Sequence, residues 1–189
     1  MRINNRLLWI LPVLLSMQCT DHRAIPKPKA LLRMEYPEPD YRSYRGMENC
    51  GYHFLTNSIA RVRTAGSCDL EISYPGLKGT IFLTYKPIQG NLETLLKDAQ
   101  KLSYEHMSKA DQIIEQPFVN PEDRVFGMYY ELSGDAASQA QFYVTDSTRH
   151  FLLGSLYFRS RPNYDSILPA AHYLRRDMRA LMESMEWIK

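Results

Sequence analysis

Apolar and polar side chains alternate most plainly over residues 68–74, where Leu70, Ile72 and Tyr74 are interleaved with Asp69, Glu71 and Ser73. A period of two places every second side chain on one face and predicts a half-buried strand. Shorter runs at 31–36, 51–55 and 59–63 read as strands too, and Pro75-Gly76 marks a turn before another at 80–85. The stretch 41–49 is aromatic and charged without a clear period. From Asn91 the pattern changes: Leu92, Leu95, Leu96, Ala99 and Leu102 recur at helical spacing. Asn91 is a competent N-cap, so a helix is predicted over 91–107. Strands follow at 113–119 and 125–132 around an Asn120-Pro121-Glu122-Asp123 turn. After a turn at Gly134-Asp135-Ala136-Ala137 come strands at 139–145 and 151–158, a hairpin around Asp146-Ser147-Thr148-Arg149. Ile167, Ala171, Leu174, Met178, Leu181, Met182 and Met185 then form one apolar stripe, which predicts a long C-terminal helix over 166–187.

Grouped strands without regular βαβ alternation predict an α+β fold, an antiparallel β-sheet packed against helices. The strand–strand–long-helix ending is similar to the PsbP-like α/β sandwich, an analogy of fold that carries no function. One globular domain is expected over 30–189, a length that suits a single core.

The N-terminus has a different pattern. Arg2 and Arg6 precede an apolar run, LLWILPVLL at 7–15, too short for the roughly twenty residues that span a bilayer. This predicts a lipoprotein signal peptide over 1–18, with Cys19 directly behind it as the lipidation site. Gln18 replaces the small residue usual before such a cysteine. An ordinary secretory signal cleaved elsewhere and an uncleaved anchor are the alternatives. Residues 19–29, with Pro26 and Pro28, read as a tether lifting the domain from the membrane.

Cleavage there would remove two of the 23 basic side chains and none of the 21 acidic ones, so the apparent net charge of +2 belongs to the signal segment. The mature chain is formally neutral, and no nucleic-acid partner is expected. Of the three cysteines, Cys50 and Cys68 remain. In an oxidising compartment a pair this close is a natural disulfide, and two free buried thiols are the other reading.

Candidate chemistry is sparse. Asp146, Ser147 and His150 crowd one hairpin turn, whereas a working triad draws its members from separate elements. No nucleophile elbow is present. The five histidines, His22, His53, His106, His150 and His172, lack metal-ligand spacing. No catalytic residue, metal site or cofactor is predicted. Arg175, Arg176 and Arg179 read as a solvated helix face, with a docking site for an acidic partner as the other reading. The chain has thirteen tyrosines, several clustered with arginines near the N-terminal side. Tyr41, Arg42, Tyr44 and Arg45 form a candidate partner surface, because tyrosine and arginine are favoured at binding hot spots. Half-buried sheet positions are their other use.

Together several segments resemble the gliding-motility lipoprotein family GldD of Bacteroidetes. They are the Pro-Lys-Pro-Lys tether at 26–29, Cys50-Gly51-Tyr52-His53-Phe54 with Cys68, and Leu83-Thr84-Tyr85-Lys86-Pro87-Ile88. Phe142-Tyr143-Val144-Thr145-Asp146-Ser147-Thr148, residues 151–158 with Arg161-Pro162-Asn163, and the Met182-Glu183 and Glu186-Trp187 ending complete the set. The resemblance implies a non-enzymatic envelope lipoprotein required for gliding or type IX protein secretion. Its partners would be envelope proteins of that machinery, its anchor a lipid, and its globular domain periplasmic, with no small-molecule substrate. A periplasmic lipoprotein that binds a ligand or cell-wall fragment is the alternative.

Overall fold

A computed structural model describes residues 35–45, 50–105, 109–159 and 164–188. The expected signal segment, Cys19, the tether and residues 31–34 of the first expected strand lie outside them. Glu35 and Tyr36, the end of that strand, carry no strand.

The chain runs through β1 (Tyr41–Arg45), β2 (Tyr52–Asn57), β3 (Arg61–Thr64), β4 (Leu70–Tyr74) and β5 (Gly79–Pro87). The helix α1 (Leu92–Glu105) precedes β6 (Ala110–Asn120), β7 (Val125–Gly134), β8 (Ser138–Thr145) and β9 (His150–Phe158). It ends in α2 (Tyr164–Glu183) and β10 (Glu186–Trp187). Two antiparallel sheets result: a small one ordered β1-β2-β10 and a seven-stranded one ordered β3-β4-β5-β9-β8-β7-β6. This is the α+β class with an antiparallel sheet and a long C-terminal helix.

The main core lies where α2 and β2 meet one face of the large sheet. Tyr52, Phe54, Ile72, Ile81, Phe142, Leu152, Leu174 and Met178 are all buried there. Strand periodicity explains the choice, since Ile81 and Leu83 on β5 share a face with Leu156 and Gly154 opposite them on β9. Gly154 is needed at that spot: a Cβ there would stand 2.2 Å from the ring of Phe142. On the opposite face α1 seats Leu95 and Ala99 against Phe151.

Several local readings change. β1 is a strand where no period was visible, because its half-buried positions, Tyr41 and Tyr44, are three residues apart rather than two. Asn91 opens α1 through its carbonyl, which accepts the Leu95 N–H at 3.1 Å. Its side chain turns back to accept from the Gln89 N–H at 2.8 Å rather than capping the helix. The last helix begins at Tyr164, whose N–H donates to the Asp135 carboxylate at 2.9 Å, a cap supplied by a distant turn. It stops at Glu183, short of the predicted end. The Ser184 hydroxyl donates to the Ala180 carbonyl at 2.7 Å and accepts the Leu55 N–H at 2.9 Å. That frees Glu186 and Trp187 to pair with His53 and Tyr52 of β2.

Candidate functional site

Cys50 and Cys68 are joined by a disulfide, which ties the start of β2 to the loop before β4. Beside it the Tyr52 hydroxyl donates to the Cys68 carbonyl at 2.6 Å. Gly51 follows with φ +70, and a Cβ there would stand 2.8 Å from Cε1 of His150. Glycine is therefore required twice over, for its left-handed backbone and for the approach of the imidazole.

His150 is packed rather than poised. Its ring stacks on Trp187 at 5.1 Å and 11°, and Nδ1 shares a hydrogen bond with the Tyr85 hydroxyl at 2.8 Å. Burial lowers its pKa, and Arg149 adds to the effect against the opposing pull of Asp146. The Asp146 carboxylate does not reach this ring. Its Oδ1 accepts the backbone N–H groups of Thr148, Arg149 and His150, and its Oδ2 accepts the Thr148 hydroxyl. Burial alone would raise the Asp146 pKa, but those hydrogen bonds outweigh it and hold the group well below the usual carboxylate range. Ser147 sits at the turn apex with φ +65. The three residues build a hairpin, and the acid orients backbone, not a base.

Of the candidate partner residues, Tyr41 is half-buried and donates its hydroxyl to Asp177 at 2.9 Å. Tyr44 lies against Phe54 at 5.2 Å. Arg42 and Arg45 are exposed, Arg42 pairing with Asp40 at 3.2 Å. The two tyrosines thus attach β1 to the interior, and the two arginines face water on the outermost strand of the small sheet. His53 pairs with Glu186 at 2.8 Å, and His172 is exposed. His22 and His106 lie outside the described residues.

Two buried charges on α2 escaped sequence reading. Asp177 accepts hydrogen bonds from Tyr41, from Asn57 at 2.8 Å and from Tyr74, joining β1, β2 and β4 to α2. Burial raises its pKa despite these donors. Arg175, expected on a solvated face, is instead 4% exposed. Its Nη1 donates to Glu131 at 3.0 Å, its Nε to the Gln139 carbonyl at 3.1 Å, and its Nη2 to the Leu132 carbonyl. Arg176 alone of the three arginines is exposed, lying over the Tyr173 ring at 5.3 Å, since Arg179 is half-buried over the Tyr129 ring at 4.4 Å. The signal was present: Asp177 and Arg175 fall on the apolar stripe, at i+3 from Leu174 and i+4 from Ala171.

A hollow of about 620 Å³ lies beside the Asp146 turn and β10, lined among others by Arg124, Asp146, Arg149, Glu186 and Trp187. One indole face is held against His150, and its Nε1–H donates to the Arg124 carbonyl at 3.2 Å. The walls carry both signs of charge beside an aromatic ring, a polar surface without an aligned nucleophile and base. Among the described residues no group of three or more His, Cys, Asp or Glu side chains is placed to hold a metal. Among them, too, no helix is long and apolar enough to cross a membrane.

No curated protein matches the chain. The family described as gliding motility lipoprotein GldD matches residues 21–187, a span that takes in the disulfide, both sheets and both helices. The chain belongs to the gliding motility lipoprotein GldD family.

Proposed function

We propose that the protein is an accessory component of the gliding and type IX secretion machinery, lipid-anchored through Cys19 with its globular domain in the periplasm. It acts through protein contacts and performs no catalysis. The family match over 21–187 carries this reading. The use of the polar side chains supports it: Asp146 closes a turn, His150 is stacked and Arg175 braces strands, whereas Arg42 and Arg45 face solvent. We propose those two arginines, presented by the strand that Tyr41 and Tyr44 fix from behind, as one contact surface. A clean deletion should stop colony spreading or the export of secreted proteins, and the wild-type chain should restore both. A Cys19→Ala chain should restore neither fully. Normal spreading and export in the deletion would sink the proposal.

A second reading, capture of a ligand or cell-wall fragment, is favoured by the hollow beside Trp187. Soluble peptidoglycan fragments that raise the thermal midpoint of the wild-type chain, and not of Trp187→Ala, would favour it over the first.

A further inference from the structure

One face of the seven-stranded sheet carries the main core. The other is divided. Over β8 and β9, α1 covers Phe151 and packs against Leu153 and Tyr143. Past the helix, register carries the same face outward: on β5, Lys86, Thr84, Phe82 and Thr80 lie opposite Phe151, Leu153, Ser155 and Tyr157. Glu71 on β4 lies opposite Phe82, and Arg63 on β3 opposite Glu71. Side chains two apart along a strand share a face, so Arg61 joins the same surface.

On this half Phe82, Lys86, Arg61 and Arg63 are exposed, whereas Thr80, Glu71 and Ser155 are buried. Phe82 is 40% exposed, its ring edge-on to Tyr157 at 5.9 Å. Glu71 pairs with both Arg63 and Arg159, which themselves remain exposed. Arg61 is exposed and makes no ion pair with a described residue. Two guanidinium groups therefore hold one recessed carboxylate, and a third, Arg61, lies farther along the same face. Where this half meets α1, a hollow of about 240 Å³ has an apolar wall of Leu95, Ala99, Leu102, Phe151 and Leu153, and its charged lining is mixed: Lys86 and Lys101 with Asp98 and Glu105.

We propose that this face docks an acidic segment of a partner protein, its carboxylates meeting Arg61, Arg63 and Arg159 and one apolar side chain entering the hollow beside α1. The charge excess selects an acidic partner, since rim charges set steering and specificity. Exposed guanidinium groups offer carboxylates a planar, two-donor match. A recessed apolar hollow receives a protruding side chain, whereas insertion into a bilayer needs apolar groups that protrude from the protein. The proposal rests on the contact-making role above and locates a second surface for it, on the other sheet from Arg42 and Arg45.

The test replaces Phe82 with a photocrosslinking amino acid in the full-length lipoprotein, in living cells, with the same substitution at Ile114 as control. Ile114 is similarly exposed, but on β6 at the far edge of the same sheet. A discrete protein adduct at 82 and not at 114 is expected, joined to a peptide rich in Asp or Glu. It should be lost in an Arg61→Glu, Arg159→Glu chain. Arg61→Glu alone leaves the Glu71 pairs intact and should reduce the adduct severalfold without changing the thermal midpoint. No adduct, an adduct to lipid only, an adduct to a second copy, or one indifferent to both charge reversals would each overturn the surface. A normal deletion phenotype with the adduct present would remove the proposed role and leave the surface standing.

Discussion

Arg175 brings a guanidinium into the space between α2 and the turn from β7 to β8, and nearly every N–H direction it has is answered. A charge so placed stabilises only while its partners stay in register, because desolvation alone costs several kcal/mol. Removing it strands the acceptors Glu131, Leu132 O and Gln139 O around a void. Arg175→Met should lower unfolding stability in urea by about 3 kcal/mol or more. Arg175→Lys should recover only part of that loss, since an ammonium presents its donors from one point and cannot reach all these acceptors. Full recovery by lysine would show that charge, and not the planar fork, is what the site requires. Asp177 is the matching device at the other side of the helix, an acceptor for three donors from three strands.

At the scale of elements, the disulfide does what the short strands around it cannot. β3 has four residues and β10 two, too few to hold their neighbours by ladder bonds alone. Joining Cys50 to Cys68 closes the loop that contains β2 and β3 and fixes both ahead of β4. A loop of this length is worth about 3 kcal/mol in the chain-entropy account. Cys50→Ser with Cys68→Ser should lower stability by about that amount, measured by thermal or urea unfolding. The variant should then show the same stability with and without reductant, while the wild-type protein falls toward it on reduction. A wild-type protein indifferent to reductant would overturn this assignment.

For the whole molecule, protonation links the cluster near the disulfide to stability. The folded pKa of His150 is lowered by burial, against roughly 6.5 in the unfolded chain. Below that value the unfolded state takes up a proton that the folded state refuses, so stability falls as pH drops through about 6.5. Asp146 acts in the same direction at lower pH: its lowered pKa contributes stability above the ordinary carboxylate value, lost on further acidification. Asp177, with its pKa raised, opposes them; its contribution is present at low pH and lost as pH rises through its folded value. The thermal midpoint should therefore decline from pH 7 to pH 5, and His150→Gln should flatten that slope. An unchanged slope in His150→Gln would remove the histidine from the account.

Local pattern was enough to find most of the chain's elements. Alternation marked β4, the helical stripes marked α1 and α2, and turn residues placed the hairpin of β8 and β9, because these signals depend on near neighbours. The sequence also carried the cysteine pair, the neutral charge of the chain after its first eighteen residues, and the segments that resemble the family. Where its arginines and tyrosines would point depended on tertiary partners. Arg175 went inward because Glu131 and two strand carbonyls converge on it, and Tyr41 went inward because Asp177 waits behind β1. The end of α2 was set by Ser184 meeting Leu55, residues separated by 129 positions. The partly exposed half of the second sheet face exists because α1 covers β8 and β9 and stops there. No periodicity in one segment records what another segment leaves uncovered, so that surface belongs to the folded chain alone.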